Sequence, residues 1–369
     1  MFAIPIVGPV FRLVMRCVSI VVWLLTIASA YGGRCNPEYL TIPSVLCLAL
    51  PYFVTLSIIL IAFWVLQKRI VFTALGVLTI VACGAPITRV MPLGHSKDAT
   101  EGAQTFSIMS WNVIHTRDIR KPDWPGNRAV EYMVNSGADI IALAELNNFS
   151  SQELVNASPA LIDSLNRIYP YKAGLTNKDI KIMSKYPVER TGVTNQSDYG
   201  EARFDFFKVS LPGHPLTVAM VHLYSYDLSE EERQVVTDIK SVNTAKSSVK
   251  EFKGSIMQKL RNAFRQRAEN ARELREEIDK TSGPLIVCGD FNDVPNSWTY
   301  DIVMGDDMRD AYTETNFGPR HTYNLHAFYF HIDQMLYRGD IEALSLKVGK
   351  INSSDHYPLL GTFEFTAGS

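Results

Sequence analysis

The first 90 residues carry only seven charged side chains, Arg12, Arg16, Arg34, Glu38, Lys68, Arg69 and Arg89, and this constrains the fold more than any other feature. A water-soluble core does not exclude charge over so long a stretch. Three apolar runs fill the interval, at about residues 13–30, 42–66 and 70–85. Each approaches the roughly 20 residues a helix needs to cross a bilayer. Trp23, Tyr31, Tyr52 and Trp64 supply candidate interfacial anchors. Residues 1–90 are therefore expected to form a membrane anchor of three transmembrane helices.

The basic residues orient these spans. Arg12 and Arg16 precede the first, and Lys68 and Arg69 occupy the turn between the second and third. The positive-inside rule places both sets in the cytoplasm. The chain beyond residue 85 is then expected outside the cytoplasmic (inner) membrane, on the periplasmic side. Ala28-Ser29-Ala30 resembles a signal-peptidase site. Cleavage there would leave the outer location of the later residues unchanged.

The remainder has a different composition, with 30 basic and 37 acidic residues from 91 to 369, a net charge of −7. That balance excludes a strongly basic nucleic-acid binder and a disordered chain. Four of the five cysteines lie in the leader, so Cys288 has no partner for a disulfide inside the globular part. Residues 91–104 read as a linker and 105–369 as one domain. Apolar or alternating runs predict strands at 106–111, 140–144, 180–183, 204–210, 216–221, 285–288, 332–337 and 359–365. Helices are predicted at 128–135, with Gly137 closing it, and at 161–168. Met257, Leu260, Phe264, Ala271, Leu274 and Ile278 form an apolar stripe on a third helix, from 254 to 281, about 40 Å long. Residues 240–280 carry eleven basic and six acidic side chains. They read as a solvated face or as a basic arm for polyanions. Short strands with helices between them predict an α/β sandwich of mixed sheets.

Polar residues recur where the apolar strands end: Asn112, Glu145, His222, Asp290 with Asn292, Asp333, and Asp355-His356. Converging strand ends would gather these groups in one cleft, and hard oxygen donors of this kind suit Mg²⁺ or Mn²⁺. The ordered set, above all Gly289-Asp290-Phe291-Asn292 and Ser354-Asp355-His356, resembles the endonuclease/exonuclease/phosphatase superfamily. The resemblance runs from about Phe106 to Phe365, and Ser184-Lys185-Tyr186-Pro187 looks like the family's turn after a strand. The whole layout is similar to membrane-anchored members of the Bacteroidetes-like type.

The resemblance implies a DNase I-like, four-layer fold, an α/β (α+β) sandwich of two packed mixed β-sheets flanked by helices. It also implies roles. Glu145 would be the principal metal ligand, with Asn112 and Asp355 near the metal or the phosphate. Asp290 and Asn292 would position water and phosphate. His356 would contact the scissile phosphate or move a proton, with Asp333 fixing its tautomer, and His222 would stabilise developing charge. Either Asp290 or His356 could be the base. Three positions depart from the common pattern: Ile114 stands where some abasic-site nucleases have an acidic ligand, Ala144 where many relatives have Gln, and His331 where many have Arg.

The expected activity is a membrane-tethered, divalent-metal-dependent phosphoesterase. Nucleic acid, a lipid headgroup or a small phosphorylated molecule could be the substrate, and the bilayer is the expected partner. A non-catalytic binding member of the same fold is the alternative. No feature of the sequence points to a protein partner.

Overall fold

The computed structural model describes residues 8–114, 127–146, 159–175, 179–196, 202–226, 246–324 and 330–366. Part of the charged segment, 227–245, lies outside the described residues.

Proline placement shapes the leader. Helix α1 (Pro9–Tyr31) runs on through a short 3-10 turn, and Pro9–Arg34 is long and apolar enough to cross a membrane. The second predicted span is instead two helices, α2 (Thr41–Cys47) and α3 (Leu50–Leu66), bent by 63°. The third is α4 (Ile70–Ala82) and α5 (Gly84–Val90), bent by 64°. Thus one helix is a span by itself, and three result only if each bent pair counts as one. Pro51 and Pro86 lie four residues beyond Cys47 and Ala82, where the first helix of each pair ends. A proline ring clashes with the carbonyl four residues back and offers it no N–H. Buried hydrogen bonds tie α1 to α3: Trp64 Nε1 donates to Ser19 Oγ at 2.8 Å, and the Thr26 and Ser57 hydroxyls meet at 2.9 Å.

Among the described residues, twelve strands form two six-stranded sheets. They are β1 (Thr105–Asn112), β2 (Ile140–Ala144), β3 (Tyr171–Ala173), β4 (Lys181–Ser184), β5 (Val188–Gln196), β6 (Ala202–Leu211), β7 (His214–His222), β8 (Leu285–Asp290), β9 (Arg309–Asp310), β10 (Asp333–Arg338), β11 (Ile341–Val348) and β12 (Leu359–Phe365). One sheet has the order β11-β12-β1-β2-β4-β3, the other β5-β6-β7-β8-β10-β9. Both are mixed. The central pairs β1–β2 and β7–β8 are parallel, and their flanking pairs are antiparallel.

The strands are apolar on both faces because both faces are buried. Phe106, Ile108, Ala142, Ile286 and Cys288 enter the core between the sheets. Their neighbours Met109, Trp111, Ile141 and Leu143 face α6 (Arg128–Asn135) and α7 (Pro159–Ile168) on the outside of the first sheet. Leu285 and Val287 face α8 (Lys246–Lys280) and α9 (Trp298–Met304) on the outside of the second. The result is helices, sheet, sheet, helices. The apolar stripe of α8 is real: Phe264, Ala271, Leu274 and Ile278 are buried, while Met257 is exposed. Three of its arginines meet partners elsewhere in the chain. Arg272 pairs with Glu38 of the leader, Arg265 donates to the Glu38 carbonyl at 3.0 Å, and Arg267 is fully buried 3.5 Å from Asp293.

Residues 91–104 do not hang free. Leu93 bridges to Phe317, Lys97 N donates to the Leu344 carbonyl at 2.8 Å, and Thr100 N and Oγ1 bond the Glu364 carboxylate at 2.6 and 2.8 Å.

Candidate active site

Register brings the polar strand ends together. β1 and β2 are parallel with Asn112 opposite Ala144, so Asn112 and Glu145 leave the first sheet at one edge. β7 and β8 are parallel with His222 opposite Asp290, at the matching edge of the second sheet. β10 runs antiparallel to β8, and its first residue, Asp333, also lies opposite Asp290. The turn before β12 adds His356, fixed by Trp111 Nε1 donating to its carbonyl at 2.9 Å and by its own N–H on Ser354 Oγ at 3.1 Å.

The backbone is strained where it presents these groups. Among the described residues, the non-glycine positive φ angles of the globular part fall at Ile114 (41°), Glu145 (54°) and Asn292 (51°). Such values are uncommon without glycine and cluster at functional sites. Gly289 has φ 136°, and a β-carbon there would overlap the Val221 carbonyl. The glycine therefore lets β7 and β8 close on each other just before Asp290.

Asp290 is the hub. Its Oδ2 lies 3.2 Å from Asn112 Nδ2, 3.5 Å from His356 Nε2 and 4.0 Å from His222 Nε2, and its Oδ1 accepts the Asn292 N–H at 2.8 Å. Asn112 Nδ2 also donates to Glu145 Oε1 at 2.9 Å, and His222 Nε2 is 3.5 Å from that oxygen. Asn292 is turned away to anchor its loop, Nδ2 donating to the Leu223 carbonyl at 2.9 Å. Asp355 is buried, and its Oδ1 lies 3.5 Å from the Ser354 hydroxyl, which itself bonds the Asn112 carbonyl at 2.7 Å. The structure thus joins Asn112, Glu145, His222, Asp290, Asp333 and His356 directly. Asn292 and Asp355 sit at the margin.

Each histidine has a carboxylate behind it. Asp333 Oδ2 is 2.9 Å from His356 Nδ1, as the sequence led one to expect. Asp179 Oδ2 is 2.6 Å from His222 Nδ1. Sequence reasoning missed Asp179. The available signal was an acid immediately before the strand expected at 180–183, which pairs with β2. Burial opposes charge on His222, but Asp179, helped by Glu145 and Asp290, lifts it to about 9. Burial likewise opposes charge on His356, and the Asp333 and Asp290 carboxylates hold it well above the ordinary imidazole range. Burial raises the Asp290 carboxyl to about 6 despite its pairing with His356, and Asp333 adds to the rise.

Asp290, Asp333 and His356 offer ligand atoms within 4.8 Å of one another. A protonated imidazole has no lone pair for a metal, so this trio reads as a charge network. The oxygen donors of Glu145 and Asn112 fit a hard divalent cation better. The Glu145 side chain is 28% exposed, which leaves it within reach of solvent.

Neighbouring acids and histidines serve packing. Asp293 meets Arg267, Asp310 accepts the Tyr300 hydroxyl at 2.7 Å, and His321 packs on Tyr357. His331 stacks on Tyr312 with centroids 4.0 Å apart, and burial lowers its pKa to about 4, so its ring is neutral.

A double β-sandwich with paired Asp–His couples around an acidic strand-end cluster defines a phosphoester hydrolase of the DNase I-like class. Residues 109–356 match the Endonuclease/Exonuclease/phosphatase family, and the chain belongs to it. Residues 12–90 match a domain of unknown function (DUF8431). No curated protein matches the sequence. Among solved structures, the chain is similar to an endonuclease/exonuclease/phosphatase from Beutenbergia cavernae, with 15% identity, 71% of this chain and 72% of that one covered, and a TM-score of 0.44. It is similar to truncated Caenorhabditis elegans TDP2, at 18%, 71% and 98%, with a TM-score of 0.46. It is also similar to sphingomyelinase C from Streptomyces griseocarneus, at 13%, 70% and 99%, with a TM-score of 0.42.

Proposed function

We propose that the chain is a membrane-tethered phosphoesterase that uses Mg²⁺ or Mn²⁺ and acts outside the cytoplasmic membrane. The observation that carries this reading is the convergence on Asp290 of Asn112, which also bonds Glu145, and of two histidines, each backed by an aspartate. Glu145 would hold the cation, with Asn112 and Asp355 beside it or the phosphate. When bound, the cation neutralises charge on the phosphoryl oxygens. His356, held protonated between Asp333 and Asp290, donates to a non-bridging oxygen. Asp290 stands ionised near neutral pH with a pKa of about 6, and it accepts the proton of the attacking water. His222, charged below about pH 9, faces the developing charge or the leaving oxygen. Asn292 positions the loop that carries Asp290.

Residues 1–90 act as the anchor, with the two bent helix pairs as second and third spans, 91–104 as a connector and 105–369 as the catalytic domain. The distribution of contacts supports the outer location. The catalytic domain meets the leader at the Ser29 and Cys47 carbonyls and at Arg89. Arg12, Arg16, Lys68 and Arg69 lie at the other ends of these helices, the cytoplasmic side by the positive-inside rule.

The full chain in detergent, given Mg²⁺, should hydrolyse at least one of bis-p-nitrophenyl phosphate, plasmid DNA, RNA, phosphoinositide or sphingomyelin. Full activity in Asp290→Ala or His356→Ala would refute the site. A reporter active only in the periplasm, fused after Gly94, should be active; a stable but silent fusion would reverse the topology.

A further inference from the structure

The leader and the catalytic domain line a half-open cavity of about 250 Å³. Leu48, Pro51 and Tyr52 form its leader wall, and Val294, Arg320 and Phe330 are on the catalytic side. Pro51 and Tyr52 open α3, the end of that membrane segment nearest the catalytic domain. Tyr52 is 57% exposed, as suits an aromatic residue at the headgroup level. The cavity therefore lies where a bilayer surface would meet the enzyme.

The catalytic wall is close in sequence to the active-site residues. Val294 follows Asn292 by two residues, and Phe330 precedes Asp333 by three. One apolar cluster joins Cys47, Val294 and Ile332, with Leu48, Tyr323 and Phe330 packed against it. Tyr323 also packs edge-on against His356, ring centroids 5.1 Å apart. Apolar side chains thus run from the head of α3 to the imidazole proposed to bind phosphate.

Two residues lining the cavity keep a buried acceptor with no partner among the described residues, His331 Nε2 and Asn296 Oδ1. The neutral His331 donates through Nδ1 to the Arg320 carbonyl at 3.1 Å, and Asn296 Nδ2 donates to the Ser29 carbonyl at 3.0 Å. Unmatched acceptors are costly in a filled core. The cavity wall itself is largely apolar, with Leu48, Pro51, Tyr52, Val294 and Phe330 among its lining. The volume falls below the roughly 300–1,000 Å³ of a site that takes a whole small molecule. It suits the part of an amphiphile nearest its phosphate, with the chain ends left in the bilayer.

We propose that this junction cavity binds the backbone and first methylenes of a membrane lipid phosphoester, with its phosphate directed toward His356. The proposal rests on the phosphoesterase reading above and names its substrate class.

The test uses the full chain in bilayer nanodiscs with Mg²⁺. Rates on sphingomyelin and a diacyl phospholipid are compared with those on bis-p-nitrophenyl phosphate and plasmid DNA, and a sphingomyelin with a diazirine near its headgroup maps the contact. Wild type should cleave at least one lipid and crosslink within 47–52 or 294–296. Leu48→Trp and Val294→Phe, each shown to melt as wild type does, should lower the ratio of lipid to bis-p-nitrophenyl phosphate hydrolysis at least tenfold. Two filling variants on opposite walls guard against one failing to fold. Cleavage of DNA or bis-p-nitrophenyl phosphate without either lipid, an unchanged ratio in both variants, or crosslinking elsewhere would overturn the proposal and leave the phosphoesterase reading standing. No hydrolysis of any phosphoester would overturn both.

Discussion

Replacing Asp179 by asparagine tests whether the second Asp–His couple is functional. Asp179 and His222 are 7% and 8% exposed, and their 2.6 Å hydrogen bond is the shorter of the two histidine–carboxylate contacts. A buried hydrogen bond to a charged group contributes about 1.5–3 kcal/mol. If that stabilisation is expressed in the transition state, kcat should fall about 10- to 150-fold. Asparagine is nearly isosteric and can still accept from Nδ1–H, so the fold and KM should change little. The pH profile separates orientation from mere packing. With Asp179, His222 stays charged to about pH 9. Without that charge its pKa falls, so the variant's rate should decline on the alkaline side before the wild type's does. Initial rates on bis-p-nitrophenyl phosphate from pH 5.5 to 9.5, with thermal melts as the folding control, make the measurement. A kcat within twofold of wild type across that range would refute the positioning role.

Gly289→Ala should cost about 2–5 kcal/mol, from left-handed backbone strain plus overlap with the Val221 carbonyl; chemical denaturation checks it. Gly33→Val should drive the leader off the Asn296 carbonyl that a β-carbon there would meet, and limited proteolysis between residues 85 and 105 should quicken several-fold. His331 has a depressed folded pKa of about 4. The unfolded chain therefore binds the proton first, and stability should fall as pH drops from about 6.5 to 4, by about 3 kcal/mol. His331→Phe should remove that acid-side loss in pH-dependent melts. Chelation should abolish hydrolysis and Mg²⁺ or Mn²⁺ restore it, and inorganic phosphate should bind at least tenfold more tightly, by calorimetry, with the cation present.

Features that depend on local chemistry were legible in the chain. The scarcity of charge to residue 90, the double-sided apolar strands and the polar residues at their ends need no tertiary information. Asn112, Glu145, His222, Asp290 and Asp333 could be found because a buried strand makes a polar side chain at its end conspicuous, and His356 through the Ser354-Asp355-His356 motif. Asp179 was missed because the acid before β4 of the first sheet meets His222 of β7 only where the two sheets pack, and its partner is 43 residues away. β5 and β11 escaped notice because edge strands carry polar residues that blur alternation. The bends in the leader were legible in principle, since Pro51 and Pro86 mark them, but hydropathy averages over a single ring. The long helix was read as starting at 254, yet it begins at Lys246, where charged residues mask the apolar stripe.

The electrostatics of the site also explain why the domain's acidity is compatible with an anionic substrate. Glu145, Asp179, Asp290, Asp333 and Asp355 face two histidines that their neighbours hold protonated, which leaves a formal excess of three negative charges. Such a site repels a phosphoester until a divalent cation enters. The same carboxylates that draw in the cation keep His222 and His356 charged, so two positive donors await the phosphate without any long-range attraction from residues 91–369, whose net charge is −7. A freely diffusing polyanion gains little from that arrangement. On the proposed reading, in which the leader anchors the chain in a bilayer, a substrate held in that bilayer would not need such steering.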